Sequence, residues 1–174
     1  MSHKKWRVLA ASAEQTQNKG KLPEAEAAWL AALEEAEELG ADSPMLILNL
    51  ERLAEVLFLQ GKYAFCAPIC RRLLVIYQRI YEEGHPSIGI LACNLGMIYH
   101  AWHKYADAEP LYNLALRIKV KALGDTHPEV ITLKNQYTNL LQSAAATKSG
   151  RWTRSGNWES LSFPAEEQLS KKPQ

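Results

Sequence analysis

A repeat period of about 42 residues constrains this chain more than any single motif in it. His127-Pro128 repeats His85-Pro86 at a step of 42, and Ser43-Pro44 stands one further step back. Lys104-Tyr105-Ala106 repeats Lys62-Tyr63-Ala64, with Lys21-Leu22-Pro23 a step of 41 before it. Gly61 falls on Gly20, and Asn94-Leu95-Gly96 falls on Arg52-Leu53-Ala54 and then on Ala11-Ser12-Ala13. Inside the best-defined unit, Leu91, Leu95, Ile98 and Trp102 recur at helical spacing. After His103-Lys104 a second helical pattern begins: Ala108, Leu111, Tyr112, Ala115, Leu116, Ile118 and Leu123. Two amphipathic helices joined by a tight turn form a helical hairpin. Neither would stay folded alone, since each carries an apolar face wider than its hairpin mate can cover. A fixed period with two helices per unit predicts a stacked helical array.

The residues at these matching places resemble the tetratricopeptide repeat, and more closely its longer form found in kinesin light chains. That form reads N-L-G-x-x-Y, then K-Y-x-E-A-E-P-L-Y-x-x-A-L, then A-L-G-x-x-H-P. Here the pattern stands as Asn94-Leu95-Gly96 and Tyr99, then Lys104 to Tyr112 with Ala115-Leu116, then Ala122-Leu123-Gly124 and His127-Pro128. It is good in the second unit and weak in the first. Cys66 and Cys70 replace packing residues of the second unit, Leu73 stands where Ala115 does, and His103 replaces a turn glycine. The resemblance implies an all-α, right-handed helical solenoid of three hairpins plus a capping helix. The repeat domain is expected over residues 5–146 and a distinct tail over residues 147–174.

The helices can be placed from local signals. The first is expected from about Lys4 to Lys19, packing through Trp6, Leu9, Ala10 and Ala13, with Gly20 at the turn. The second begins near Pro23, whose missing N–H costs nothing in a first turn, and runs through Trp29, Leu30 and Leu33 to Leu39. Its outer glutamates (Glu24, Glu26, Glu34, Glu35, Glu37 and Glu38) read as a solvated face. Asp42 or Ser43 caps the third helix, with Pro44 in its first turn, and the fourth runs from about Tyr63 to Glu82. A seventh helix starts at Pro128 with Val130, Leu133, Tyr137, Leu140 and Leu141 on its apolar face. It has no mate after it, as expected of a cap on an open array end. Leu95 and Leu116 are both expected in the core.

Composition matters here for what it excludes. A net charge of +1 over 174 residues argues against nucleic-acid binding by bulk charge. Three cysteines in a chain of this length do not make a secreted disulfide framework. No signal peptide is visible behind Met-Ser-His-Lys-Lys-Trp, and no stretch is long enough to span a bilayer, so a soluble, cytoplasmic protein without membrane contact is expected. Cys66 and Cys70 fall on packing positions and form no CxxC pair, so no metal is expected there. His85 and His127 precede prolines at matching places and read as caps or turn residues. No phosphate loop, nucleophile elbow or acid pair is present, so neither a cofactor nor a catalytic residue is assigned and the chain is expected not to be an enzyme.

What remains is the surface that stacking creates. By the resemblance, the first helix of each hairpin lines a concave groove. Its candidate peptide-binding residues are Leu48, Glu51, Arg52, Glu55, Ile90, Asn94, Met97, Thr132, Asn135 and Asn139, with Arg7 and Glu14 at one end. Asn94 matches an asparagine that bonds an extended peptide backbone in family members, and an amide both donates and accepts. Arg52 suits an acidic ligand residue, and Glu51 and Glu55 a basic one. An Asn94→Ala change is expected to spare folding and weaken binding. Chaperone-binding adaptors of the family clamp a terminal carboxylate with basic residues on their first and third repeats. Ile90, Cys93, Asn94 and Met97 leave no basic group there, so an internal peptide segment fits better. The tail carries Trp152, Trp158, Glu159, Leu161 and Phe163 as a motif. Kinesin light chains read peptides with a tryptophan flanked by acids and fold an apolar segment of their own into the groove. The expected function is a non-enzymatic adaptor binding a protein or peptide partner in the groove. The alternative is a structural subunit of a larger assembly or homodimer, joined through convex faces or helix ends.

Overall fold

Helix boundaries in the computed structural model follow the turn chemistry of the sequence closely. The structure describes residues 2–149, 161 and 163. Among them run seven helices and no strand: α1 Ser2–Asn18, α2 Leu22–Glu37, α3 Pro44–Leu59, α4 Tyr63–Ile80, α5 Pro86–Ala101, α6 Tyr105–Leu123 and α7 Pro128–Lys148. This is an all-α helical-repeat fold. No described helix is long and apolar enough to cross a membrane.

Proline opens α3, α5 and α7 at the first helical position, where no intrahelical partner is lost. His85 and His127 are the N-caps of α5 and α7, and each Nδ1 accepts from the backbone N–H two residues on, Ser87 and Glu129. The two His-Pro repeats are therefore capping devices. At the matching hairpin turns, Gly20 and Gly61 sit at φ +71 and +69 and His103 at φ +59. The third turn thus keeps the left-handed geometry with a residue that tolerates it less well than glycine. Its ring Nδ1 lies 2.9 Å from Tyr105 Oη.

The chain forms two compact units, Met1–Ile76 with Phe163–Gln174, and Tyr77–Ser162. In the first, the α1–α2 hairpin packs on α3, and the core holds Ala13, Trp29, Leu46, Leu50, Leu53 and Leu73. Polar groups are buried with it. Trp6 Nε1–H donates to Asn49 Oδ1 at 3.2 Å, and Asn49 Nδ2–H donates to the Trp29 carbonyl at 2.9 Å. Trp29 Nε1–H donates to Gln17 Oε1 at 2.8 Å. Cys66 and Cys70 are fully buried, and Cys66 Sγ lies 3.2 Å from the Ala54 carbonyl. The bond from Cys66, together with burial, holds the Cys70 thiol well above its ordinary pKa, as suits packing cysteines rather than reactive ones. The acidic face of α2 is less free than its sequence suggests. Glu26 bonds Lys62 and Gln60, Glu35 bonds Lys5, and Glu37 bonds Arg72.

In the second unit α6 lies on α5, and α7 on α6. Leu91, Leu95, Ile98, Tyr112 and Leu133 form its core. Two glycines of α5 permit the close approach. A Cβ on Gly89 would stand 3.0 Å from Ile118 Cγ2, and one on Gly96 would stand 3.3 Å from the Tyr112 ring. One expectation about burial needs correction. Leu116 is only half-buried, because Tyr112, Ala115 and Ile118 carry the packing face of α6 and Leu116 turns to its edge. Leu30 on α2 and Leu141 on α7 are 47% and 43% exposed, since each helix is covered along a narrower stripe than its sequence offers. One period beyond the Trp102–Lys104 turn stand Ala144, Ala145 and Ala146. These strong helix formers carry α7 on to Lys148 without a turn.

Candidate functional site

Within the second unit, α5, α6 and α7 enclose an open cavity of about 380 Å³. Helix α5 contributes Ile90, Cys93, Asn94 and Met97. Helix α6 contributes Lys119, and α7 contributes Pro128, Glu129, Thr132, Leu133 and Gln136. The helical period explains the α5 set. Residues 90, 93, 94 and 97 share one stripe, while Leu91, Leu95 and Ile98 turn inward.

The walls are mostly apolar, with a few polar groups converging, as in small-ligand and peptide side-chain pockets. Cys93 Sγ lies 4.0 Å from Met97 Sδ and 3.8 Å from Gln136 Oε1. Burial pushes the Cys93 thiol up to a pKa of about 11, so it stays protonated at neutral pH. Lys119 Nζ bonds a Glu129 carboxylate oxygen, and that hydrogen bond holds Glu129 below the usual carboxylate range. On α6, the Tyr112 hydroxyl is sealed from solvent without a hydrogen-bond partner, and burial raises its pKa.

Of the groove residues expected from the sequence, Ile90, Asn94, Met97 and Thr132 meet in this pocket. Asn135 and Asn139 lie on the same helix as Thr132 but are exposed and do not line it. Leu48, Glu51, Arg52 and Glu55 belong to the first unit. There Glu51 is only 4% exposed. Arg52 Nη1–H donates to Glu55 Oε2 at 3.4 Å, and Gln17 Nε2–H donates to the same oxygen at 3.0 Å. Asn94 is 2% exposed, which removes the expectation that Asn94→Ala spares folding. Sequence reasoning placed Cys93 beside Ile90, Asn94 and Met97 without assigning it a binding role, and missed Lys119, Glu129 and Gln136 as pocket residues. Lys119 is brought in from a helix whose face pattern does not announce it. In the tail, Leu161 is buried and Phe163 half-buried, while Trp152, Trp158 and Glu159 lie outside the described residues.

Comparison with known proteins places the architecture. The sequence model of the tetratricopeptide repeat family matches residues 45–121. A Podosopora anserina protein described as a kinesin light chain with nearly identical TPR-like repeats has a similar fold. The TM-score is 0.68 at 18% identity, over 83% of this chain and 69% of that one. BtubC (BKLC) from P. vanneervenii gives a TM-score of 0.64 at 24% identity, over 80% of this chain and 56% of that one. A nucleotide-binding leucine-rich repeat (NLR)-like protein of Hyaloscypha variabilis is 36% identical over 62 residues. That stretch is 36% of this chain and only 6% of the relative's length. The match to tetratricopeptide repeats by sequence is therefore to residues 45–121. The chain's helical hairpins have the fold of kinesin-light-chain-type repeats.

Proposed function

We propose that this chain is a non-enzymatic protein-interaction module that binds an internal peptide segment of a protein partner, with the α5–α7 pocket as one binding element. The observation that carries this reading is the convergence of Ile90, Asn94, Met97 and Thr132 from two helices on one cavity with amide groups at its edge. An extended peptide needs both an apolar recess for a side chain and groups that bond its main chain, and the half-buried Gln136 amide supplies the latter chemistry. Taken by itself, the first unit offers a half-buried Leu48 as apolar surface and both charges in the Arg52–Glu55 pair.

The test is a titration with peptides selected from a display library against the full chain. Thr132 is exposed on the pocket rim, so Thr132→Arg blocks the recess without entering the core. Affinity should fall at least about ten-fold, equivalent to 1.4 kcal/mol. Lys121→Glu, on exposed surface outside the pocket, should leave it unchanged. Selected peptides that ignore Thr132→Arg would place recognition elsewhere. A dimer by light scattering, unchanged by Thr132→Arg and binding no peptide, would instead favour the assembly role.

The tail enters this proposal as an internal competitor. Leu161 is 6% exposed, so this tail side chain is covered rather than solvated. Tethering raises its local concentration to about the millimolar range, enough for weak contacts to compete. A chain ending at Ser149, which keeps α7 whole, should bind selected peptides more tightly than the full chain. Equal affinities would remove the competitor.

A further inference from the structure

The outer face of the first unit carries an apolar patch bracketed by two ion pairs. At one end Lys62 Nζ–H, just ahead of α4, donates to Glu26 Oε2 of α2 at 2.6 Å. At the other, the Arg72 guanidinium of α4 donates to both carboxylate oxygens of Glu37 on α2, with Nη2 2.7 Å from Oε2. The bonded residues stand 36 and 35 apart in the chain, so α2 and α4 run parallel and in step. On that count Leu30 lies level with Phe65, between the two ion pairs. Leu30 is four residues beyond Glu26, and Phe65 three beyond Lys62, so each shares a helix face with a bonded residue. Both are nevertheless open to solvent: Phe65 is 67% exposed and Leu30 47%. Pro68 and Val75, both exposed, continue the apolar stripe along α4. A contiguous patch of this kind marks a surface that meets another one.

The charges around the patch say what meets it. Helix α2 carries five glutamates and no basic residue, whereas α4 carries arginines (Arg71 and Arg72 in this unit) and no acid. The face is acidic on one side and basic on the other. A second copy turned about a two-fold axis parallel to the helices lays each α2 on the α4 of the other copy. Acid then meets base on both sides. Heights along the helices are kept, so Leu30 of each copy meets Phe65 of the other. Exposed Glu34 lies level with residues 69 and 70, within reach of exposed Arg71 of the second copy. A two-fold axis across the helices would lay α2 on α2 and oppose like charges, which is costly. Two helices side by side, about 25 Å long and together about 20 Å wide, offer about 500 Å² per copy. A total of about 1,000 Å² sits at the lower limit of specific interfaces, which sets a weak, concentration-dependent dimer.

We propose that the α2–α4 face is a self-association surface on which a second copy of this chain docks two-fold, Leu30 against Phe65 and the glutamates of α2 against the arginines of α4. None of these residues lines the α5–α7 pocket, so the inference stands apart from the peptide-binding reading.

The test is sedimentation equilibrium of the full chain from micromolar to millimolar concentration. The apparent mass should rise from the 19.6 kDa of one chain toward twice that value. Phe65→Ser should weaken the dimer at least about ten-fold, as loss of a central aromatic side chain does. Val8→Ser, at an equally exposed apolar residue of α1, should leave it unchanged. Glu34→Arg alone sets arginine against arginine, and Arg71→Glu alone sets acid against acid. Each should weaken self-association at least about five-fold. Mixed in equal amounts, these two variants should pair with each other and recover the wild-type mass, because both contacts of the mixed dimer are again acid on base. All four substitutions fall on exposed side chains, and melting curves close to wild type confirm that the variants fold. A chain that stays monomeric throughout overturns the second copy as the occupant. A dimer indifferent to Phe65→Ser, or weakened as much by Val8→Ser, overturns this face as the interface. Charge variants that do not recover on mixing overturn the acid-on-base arrangement, and the inference with it.

Discussion

The first hairpin, α1–α2, and the third, α5–α6, reach similar helix pairings by different physical means. In the third, the helices fit by volume. Gly89 and Gly96 strip α5 of side chain where Ile118 and Tyr112 of α6 arrive, and no side-chain hydrogen bond is needed at those contacts. In the first, the pairing is tied by polar groups. Trp6, Asn49, Trp29 and Gln17 link α1, α2 and α3 through bonds of 2.8 to 3.2 Å. The contrast matches the sequence. The repeat pattern is strong where packing is by volume, because small residues at fixed places are what the pattern records. It is weak where hydrogen bonds do the fixing, because many residue combinations can make them. Fit by volume fails through any added or lost methyl group, whereas a polar tie fails only through loss of a partner.

The largest expected effect lies in the third hairpin. Leu95 is 2% exposed, and Leu95→Ala should cost about 2–5 kcal/mol through lost burial and the cavity left behind. Leu116→Ala, on a half-buried side chain, should cost clearly less, although the repeat pattern gives the two residues equal standing. Chemical denaturation of both variants checks this. Equal losses would mean that α6 is rotated from the orientation described.

Overpacking comes next. Gly89→Ala adds one methyl group 3.0 Å from Ile118 Cγ2 and 3.2 Å from its Cβ. A β-branched side chain has little freedom to withdraw, so the cost should be about 1–3 kcal/mol, against helix propensity, which alone favours alanine. Pairing it with Ile118→Val should recover part of the loss. A Gly89→Ala variant more stable than wild type would show that volume does not set the α5–α6 distance.

For the polar hairpin, Asn49→Leu keeps the size of the side chain but leaves the Trp6 indole N–H without its acceptor in the core and removes the side-chain bond to the Trp29 carbonyl, which keeps its helical one. The expected loss is about 1–3 kcal/mol. Trp6→Phe removes one end of the same link, so the double variant should lose less than the two singles together. Strict additivity would mean that Trp6 and Asn49 are neighbours without being energetically coupled, and the contrast between the hairpins would weaken.

These cases show what was legible in the sequence. Helix starts at Pro44, Pro86 and Pro128, the glycine turns and the His-Pro caps are local. Their causes lie within a few residues, and the sequence states them directly. The half-burial of Leu116, the near-complete burial of Asn94 and the ion pairs along α2 depend on where a second helix comes to rest. Partners such as Trp6 and Asn49 stand 43 residues apart, beyond any local pattern. The pocket was legible in part. Its α5 stripe follows from helical period, but Lys119 and Gln136 arrive only through the packing of α6 and α7.

The smallest expected effect concerns protons, and it separates the third hairpin from its caps. His100 is sealed in α5 with its ring edge-on to Tyr105 and Tyr112, and burial lowers its pKa from 6.5 to about 4. Between those values the unfolded chain binds a proton that the folded chain refuses. Stability is therefore full above about pH 6.5 and is lost progressively as pH falls toward 4. His85, also lowered by burial, acts in the same direction, because its Nδ1 can accept from Ser87 N–H only while the ring nitrogen carries no proton. The paired glutamates Glu26, Glu37 and Glu129, with pKa values lowered from 4.5, lose their contribution only below that value. The window from pH 6.5 to 5 thus isolates the histidines. In it, His100→Gln should flatten the fall of the urea midpoint with acidification. His85→Ala should lower stability by about 1 kcal/mol at pH 7.5, as loss of a helix cap does, and by less at pH 5. A midpoint that stays level across this window in wild type would mean that His100 protonates without cost, and so is not held in the packed interface between α5 and α6.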